Sequence, residues 1–499
     1  MCLCVSIKYH NSHIEHNRKR NIMNTTRYIF LIIIAILASF TNSNAQKEKS
    51  KKPNILIIQP DQHRADVMGC AGNNMVKTPN LDNLAAGGVR FTNAASASPV
   101  CCPFRATMQT GLYIHEHGVY ENGIQLNYDF KSIAEIFVEN GYETGYIGKW
   151  HLDGFLPDDE NGVGGFIEPG APRQGWQEWY GYEKSHEFLD VWKYNENKEK
   201  VPVEGYDWEP TWHTDMTLDF IKRKTEENKP WCYYVAYGPP HKPEQCLPEF
   251  LEMYDPDAFD LPPDAEKYMK AEQKQELRKV LQMYYAQVTA IDYEIGRLQK
   301  GLKELAVDDN TIIIYVSDHG DVLGSNNREI VKKYIETNRN LNNTIRTKGK
   351  SFSTAFRIPF IVSAPNLKVQ GLETDALVSS VDLVPTILDL AGIEIPEYMQ
   401  GTSMADWTTE GDGPKQPYIY LGLHNNKNAW RAVWDGKYML SMLDYKLFYD
   451  LEKDPFETNN LFANPDSEEK RKEYEVKLID LAEKTGDPIL PRLKEEITN

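Results

Sequence analysis

"NILIIQPDQH", residues 54–63, decides the architecture: an apolar run from Asn54 to Ile58 leads directly into Asp61 and Gln62. Three other segments repeat the layout. "GYETGYIGKWH" (141–151) runs into Lys149 and His151, "WCYYVAYGPPH" (231–241) into His241, and "TIIIYVSDHG" (311–320) into Asp318 and His319. Continuous β-rich apolar runs suit strands buried on both faces, as in a parallel sheet. Open α/β sheets carry their ligands at the carboxyl ends of the strands. Four such ends bearing Asp, His and Lys therefore point to one shared site.

Helical patterns fill the gaps. Thr78 and Pro79 open a helix that Gly87-Gly88 stops. Tyr284, Val288, Ile291, Ile295, Leu298, Leu302 and Leu305 step by three or four, which predicts an amphipathic helix leading into the Thr311 strand. Residues 375–393 read as strand then helix. From about Pro417, short aromatic-rich runs with Asp435-Gly436 at a turn predict an antiparallel sheet, finished by a charged helix over 467–484. The fold class expected is α/β: a large domain over 53–400 with a mostly parallel central sheet between helices, and a smaller C-terminal α+β subdomain with an antiparallel sheet over 401–499.

Arg27, the apolar run 29–40 and "SNAQ" (43–46) form an export signal over 1–45, cut after Ala45, with 46–52 as a linker. Met23 is a natural start for that signal, which makes 1–22 an upstream extension. The apolar run is too short for a membrane span of about 20 residues, so the mature chain is expected to be periplasmic or secreted with no span. No period of 20–50 residues recurs, which excludes a solenoid. A net charge of −18 argues against general nucleic-acid binding. Cys70, Cys101, Cys102, Cys232 and Cys246 remain after the signal; five is not a disulfide scaffold, and an odd number leaves a thiol over.

Asp61 and Asp318 offer hard oxygens, with Gln62 and His319 beside them, which together favour a divalent cation: Ca²⁺ first, with Mg²⁺, Mn²⁺ or Zn²⁺ as alternatives because of the imidazole. Lys149 and His151 share a face if the chain is extended there, and could hold an oxyanion and move protons. His241 follows a stiff Pro-Pro pair. His115 and His117 lack zinc spacing and are given to structure or to the pocket wall. The aromatic stretch 174–195, with Trp176 and Trp179, suits sugar rings or simply covers the sheet. A polar insertion between Leu323 and Lys348 adjoins the metal strand and is placed to shape access. His213 and Arg346 join Trp176 and Trp179 as candidate substrate-binding residues.

"PVCCPFRATMQTG" (99–111) then gives the assembly its meaning. Cys101, Pro103, Arg105 and Thr110-Gly111 resemble the signature of the type I sulfatases of the alkaline phosphatase superfamily. "TPNLDNLAAGGVRFTNA" (78–94), "GYETGYIGKWHL" (141–152), "GPPHKP" (238–243) and "VSDHGDVLG" (316–324) are similar to further blocks of that family, in order, over nearly the whole mature chain. The resemblance implies that a dedicated maturation enzyme oxidises Cys101 to formylglycine, the nucleophile, while Cys102 is unconstrained. It implies that Arg105 clamps the modified residue, and that Asp61, Gln62, Cys101, Asp318 and His319 surround the metal. Lys149, His151, His241 and Lys348 (with Lys350 as competitor) fall on sulfate-binding and proton-transfer positions. Two departures stand out: Phe104 where the family has a small residue, and Gln62 where aspartate is common. Asp-Gln with Asp-His is also found in the related phosphonate and phosphodiester hydrolases, the alternative reading. The expected substrate is a sulfated carbohydrate, an algal polysaccharide such as ulvan, fucoidan or carrageenan, with glycosaminoglycans second.

Overall fold

The four runs singled out above are four neighbouring strands of one sheet. In the computed structural model, which describes residues 52–154, 165–183, 185–325, 345–365 and 367–498, β1 (Asn54–Pro60) pairs in parallel with β7 (Trp231–Tyr237) and with β8 (Thr311–Val316). β3 (Glu143–Lys149) pairs in parallel with β7 on its other side. The proposed signal 1–45, and most of the insertion after Leu323, lie outside the described residues.

Alternation along β1 explains why the run is apolar throughout. Ile55 and Ile57 enter the core on one face, Leu56 and Ile58 the core on the other, and none is exposed. Burying each such side chain stabilises the fold by roughly 1.5–3 kcal/mol. The helix Ala271–Glu304 covers one face, its Ile291, Ile295, Leu298 and Leu302 facing the sheet while Tyr284 and Val288 serve a neighbouring cluster. Helices Ile133–Glu139 and Leu383–Leu390 contribute to the core on the opposite face.

Outside the central four strands the sheet is mixed. β2 (Val89–Ala95), β4 (Glu178–Tyr182), β9 (Phe360–Ser363) and β10 (Leu372–Ser379) complete the order β10-β2-β9-β8-β1-β7-β3-β4, with β9 antiparallel to both neighbours. β5 (Trp192–Tyr194) and β6 (Lys200–Pro202) form a separate hairpin. The C-terminal strands β11 (Ile419–Leu423), β12 (Trp430–Trp434), β13 (Tyr438–Leu443) and β14 (Leu447–Asp450) make the expected antiparallel sheet. Both its faces are covered. Leu421, Trp430 and Trp434 pack with Phe352 and Phe356, while Val433 and Leu440 pack with Tyr474, Leu478 and Leu493 of the two final helices. Pro53–Asn499 forms one compact unit carrying both sheets.

Of the two uses open to the aromatic stretch, the fold puts its rings on the sheet. Trp179, Tyr180 and Tyr182 lie in β4, the edge strand beside β3. Trp176 is only 3% exposed, donates from Nε1 to Gln109 Oε1 at 3.1 Å, and belongs to the core. Trp179 stacks on Tyr146 with centroids 5.2 Å apart. These rings cover the sheet edge, and the expectation that Trp176 meets a sugar is corrected on that ground.

Candidate active site

Each parallel strand delivers its polar residues to the same point. Asp61 and Asp318 are fully buried side by side, and the Gln62 and His319 amides both donate to Asp318 Oδ1 at 2.9 Å. Gln62 takes a left-handed φ of 70° to do so. Lys149 Nζ reaches Asp61 Oδ2 at 2.7 Å. Gly148 makes that reach possible: at φ 100° it lets β3 approach β7 so closely that a Cβ would sit 2.0 Å from the Ala236 carbonyl oxygen. His151 is not extended as the sequence suggests. Its φ is 61°, so the chain turns after β3 and places the imidazole among the charges of Lys149, Arg105 and Lys348.

Cys101 and Cys102 part company because they open a helix, Cys101–Thr110. Residues four apart share a helix face, so Cys101 and Arg105 face the site together. Arg105 Nη2 lies 3.3 Å from Asp61 Oδ2 and 3.5 Å from Asp318 Oδ2, and Nη1 donates to the Lys149 carbonyl. Cys102 and Phe104 belong instead to the apolar core below. Phe104 is therefore a packing residue with no surface of its own. A helix N-terminus favours negative charge, and Cys101 is its first residue.

The Cys101 Sγ is the point on which the remaining groups converge. It lies 2.9 Å from Lys348 Nζ, 3.6 Å from Lys149 Nζ, 3.3 Å from His319 Nε2 and 3.7 Å from Asp61 Oδ1. Burial and Asp61 push its thiol up, but Lys149, Lys348 and His319 outweigh them and bring it to about 5. Burial drives the Cys102 thiol the other way. Lys348 Nζ also meets His241 Nε2 at 2.8 Å. Burial, followed by Lys348, holds His241 well below the usual imidazole range. Lys350 turns away to Tyr445, whereas Lys348 lies against Cys101.

Asp61, Cys101, Asp318 and His319 place their donor atoms within 4.8 Å of one another. Burial and the facing Asp61 push Asp318 up to about 6, and a cation between the two carboxylates would relieve that repulsion. The donor set therefore fits a divalent ion. Gln62 adjoins this set, and its Nε2 donates to Asp321 Oδ2 at 2.7 Å, which an aspartate could not do. Its Oε1 is left facing Lys348 Nζ at 3.5 Å.

Two candidate substrate contacts are corrected. His213 is fully buried under Gly148 and stacks on Tyr237. Arg346 is also buried, with Nε on Asp321, Nη1 on Glu244 at 2.9 Å and Nη2 on the Pro240 carbonyl at 2.6 Å. Its guanidinium is spent tying the loop after β8 to the loop that carries His241. His115 and His117 are structural as expected, bonded to the Thr485 carbonyl and Thr107. Asp321 and His186 were missed from sequence. Asp321 stands three residues beyond Asp318 in "SDHGD", a signal that was available; His186 has none.

The chain matches the sulfatase family over residues 53–393 and a family described as N-sulphoglucosamine sulphohydrolase, C-terminal, over residues 347–484. It belongs to the sulfatase family, and the activity that class defines is sulfuric ester hydrolysis. An ulvan-active sulfatase of Formosa agariphila is 30% identical over 478 residues, covering 92% of this chain and 88% of that protein. A solved structure designated sulfatase yidJ, from Bacteroides fragilis, aligns with TM-score 0.79 at 27% identity over 90% of this chain and 99% of its own. The phosphonate monoester hydrolase of Agrobacterium radiobacter shares the fold, with TM-score 0.68 at 22% identity, covering 87% of this chain and 96% of its own.

Proposed function

We propose that this sulfatase is exported and removes sulfate esters from a sulfated carbohydrate, an algal polysaccharide of the ulvan, fucoidan or carrageenan kind or its oligosaccharides. The observation that carries the reading is the convergence of Lys149, Lys348, His319 and Asp61 on Cys101 Sγ at the end of the parallel strands. The similarity to an ulvan-active sulfatase supports the substrate class.

Formylglycine at position 101, made by a maturation enzyme, would supply as its hydrate the nucleophile, and a divalent ion, Ca²⁺ first, would supply charge to it and to the sulfate oxygens. Asp61, Gln62, Asp318 and His319 would hold that ion. The chain's own cations do the rest. Lys149 and Lys348 flank the reacting position and neutralise sulfate oxygens as the S–O bond breaks. Burial opposes charge on Lys149, but Asp61 and Cys101 raise its proton affinity, so it stays an ammonium. Arg105 orients residue 101 from the next helical turn. His241 and Lys348, in contact at 2.8 Å, form the pair that would pass a proton to the departing sugar oxygen. Burial, then Lys149 and Arg105, keep His151 neutral, ready to accept a proton when sulfate is expelled.

The test is sulfate release from a panel of sulfated oligosaccharides, run beside an aryl sulfate and a phosphodiester. Sulfate release from the algal substrates is expected to dominate. Dominant phosphodiester turnover with negligible sulfate release would instead assign the chain to the phosphonate and phosphodiester hydrolases.

A further inference from the structure

The His241 ring is held along one line only by its own hydrogen bonds. Nδ1 is bonded to the Lys242 carbonyl, so it carries the proton, and Nε2 meets Lys348 Nζ at 2.8 Å. Both contacts are edge-on, at ring nitrogens, and leave the faces of the ring some freedom to tilt about the Cβ–Cγ bond. His186 removes that freedom. Its ring stacks face to face on His241, centroids 4.4 Å apart and planes 21° from parallel.

The segment that delivers His186 is built onto the same loop. Phe188 N donates to Gln245 Oε1 at 2.8 Å, and the Phe188 carbonyl accepts from Glu209 N at 2.8 Å. The Phe188 ring packs so tightly on Gly238 that a Cβ there would lie 2.3 Å from Cε1. The chain after β4 and the loop after β7 are thus clamped together, with the two imidazoles as their point of contact beside Lys348. His186 is half-buried and forms the outer member of the stack. Burial, then Lys149 and Lys348, hold it neutral, to about 2, so the stack does not place a second cation against the lysines.

We propose that His186 is a positioning residue: by fixing the plane of His241 it aligns the His241–Lys348 pair with the departing oxygen and makes turnover of poor leaving groups depend on that alignment. The proposal rests on the sulfatase reading of the site. When the S–O bond breaks, its electron pair goes to the leaving oxygen, which takes a proton from the pair. A sugar alkoxide requires that proton, whereas a nitrophenolate leaves without it. Misalignment should therefore be felt with one substrate and hardly with the other.

The experiment compares the wild type with His186→Ala and His186→Phe on a sulfated oligosaccharide and on 4-nitrophenyl sulfate. His186→Ala is expected to lower kcat on the oligosaccharide by about 10- to 100-fold, a fraction of what general acid catalysis supplies, with KM little changed and the nitrophenyl ester nearly unaffected. His186→Phe, which keeps a ring face, should restore most of the loss. Equal loss on both substrates, or none on the oligosaccharide, overturns the proposal. Nitrogen-15 spectra of His241 separate it from the sulfatase reading. Loss of the single Nδ1–H tautomer in His186→Ala supports positioning whatever the substrate, and an unchanged spectrum overturns it. A wild type that releases no sulfate from either ester overturns the sulfatase reading alone.

Discussion

Two regions of this molecule bury charged side chains, and they do so to opposite ends. In the C-terminal sheet Arg431 is fully buried, and its donors are all spent: Nε and Nη2 on Asp487, Nη1 on the carbonyls of Leu423, His424 and Trp430. At the ends of the parallel strands Lys149 and Arg105 pair with Asp61 and Asp318, Lys348 meets Cys101 and His241, and Arg105 Nε has no hydrogen-bond partner among the described residues. One cluster is closed and balanced, the other open and positive. A balanced buried cluster fixes a fold; an unbalanced one is a place for an anionic substrate.

The first way to break this comparison is to remove the centre of the open cluster. Cys101→Ala should lower kcat by about 10⁴-fold or more, the scale seen when a nucleophile is deleted. Cys102→Ala should keep most of the activity and lose only about 1 kcal/mol of stability, the cost of a small cavity. Equal loss of activity in both, measured as sulfate release, would contradict the division between them.

Next in size is the closed cluster. Arg431→Met leaves Asp487 buried without its cation and should destabilise the protein by about 3–5 kcal/mol in denaturant titrations, with kcat per folded molecule unchanged. Third is the seam between the regions. Gly349, at φ 72°, donates to the Pro99 carbonyl at 2.9 Å and accepts from Trp430 Nε1 at 3.1 Å. It thereby fixes Lys348 relative to Cys101. A Cβ would lie 2.8 Å from Val100 Cγ2, so Gly349→Ala should cost about 1 kcal/mol or more and lower kcat severalfold.

The smallest effect is acid lability. Burial raises the Asp487 carboxyl but Arg431 outweighs it, and the net shift is downward from 3.8. A depressed carboxyl stabilises the fold above its unfolded value and loses that contribution as pH falls through the folded one. Melting temperature should therefore decline below about pH 4, and Asp487→Asn should flatten that part of the decline.

The central strands and the C-terminal sheet were legible because their patterns carry the physics. A run buried on both faces is apolar through its middle, and its unpaired polar residues gather towards its end. β9 was not legible: four residues antiparallel to both neighbours carry no pattern of their own. Trp176, His213 and Arg346 were misread for one reason. Residue type says what a group can do, and the fold says which way it points; all three point inward. His186 sits in a polar stretch with no motif, and only the clamp between two distant loops brings it to His241.

Mass spectrometry of the peptide spanning Pro99–Arg105, from active protein, tests the central claim most directly. An aldehyde at position 101 and an intact thiol at Cys102 are expected. An unmodified Cys101 in protein that releases sulfate would contradict it.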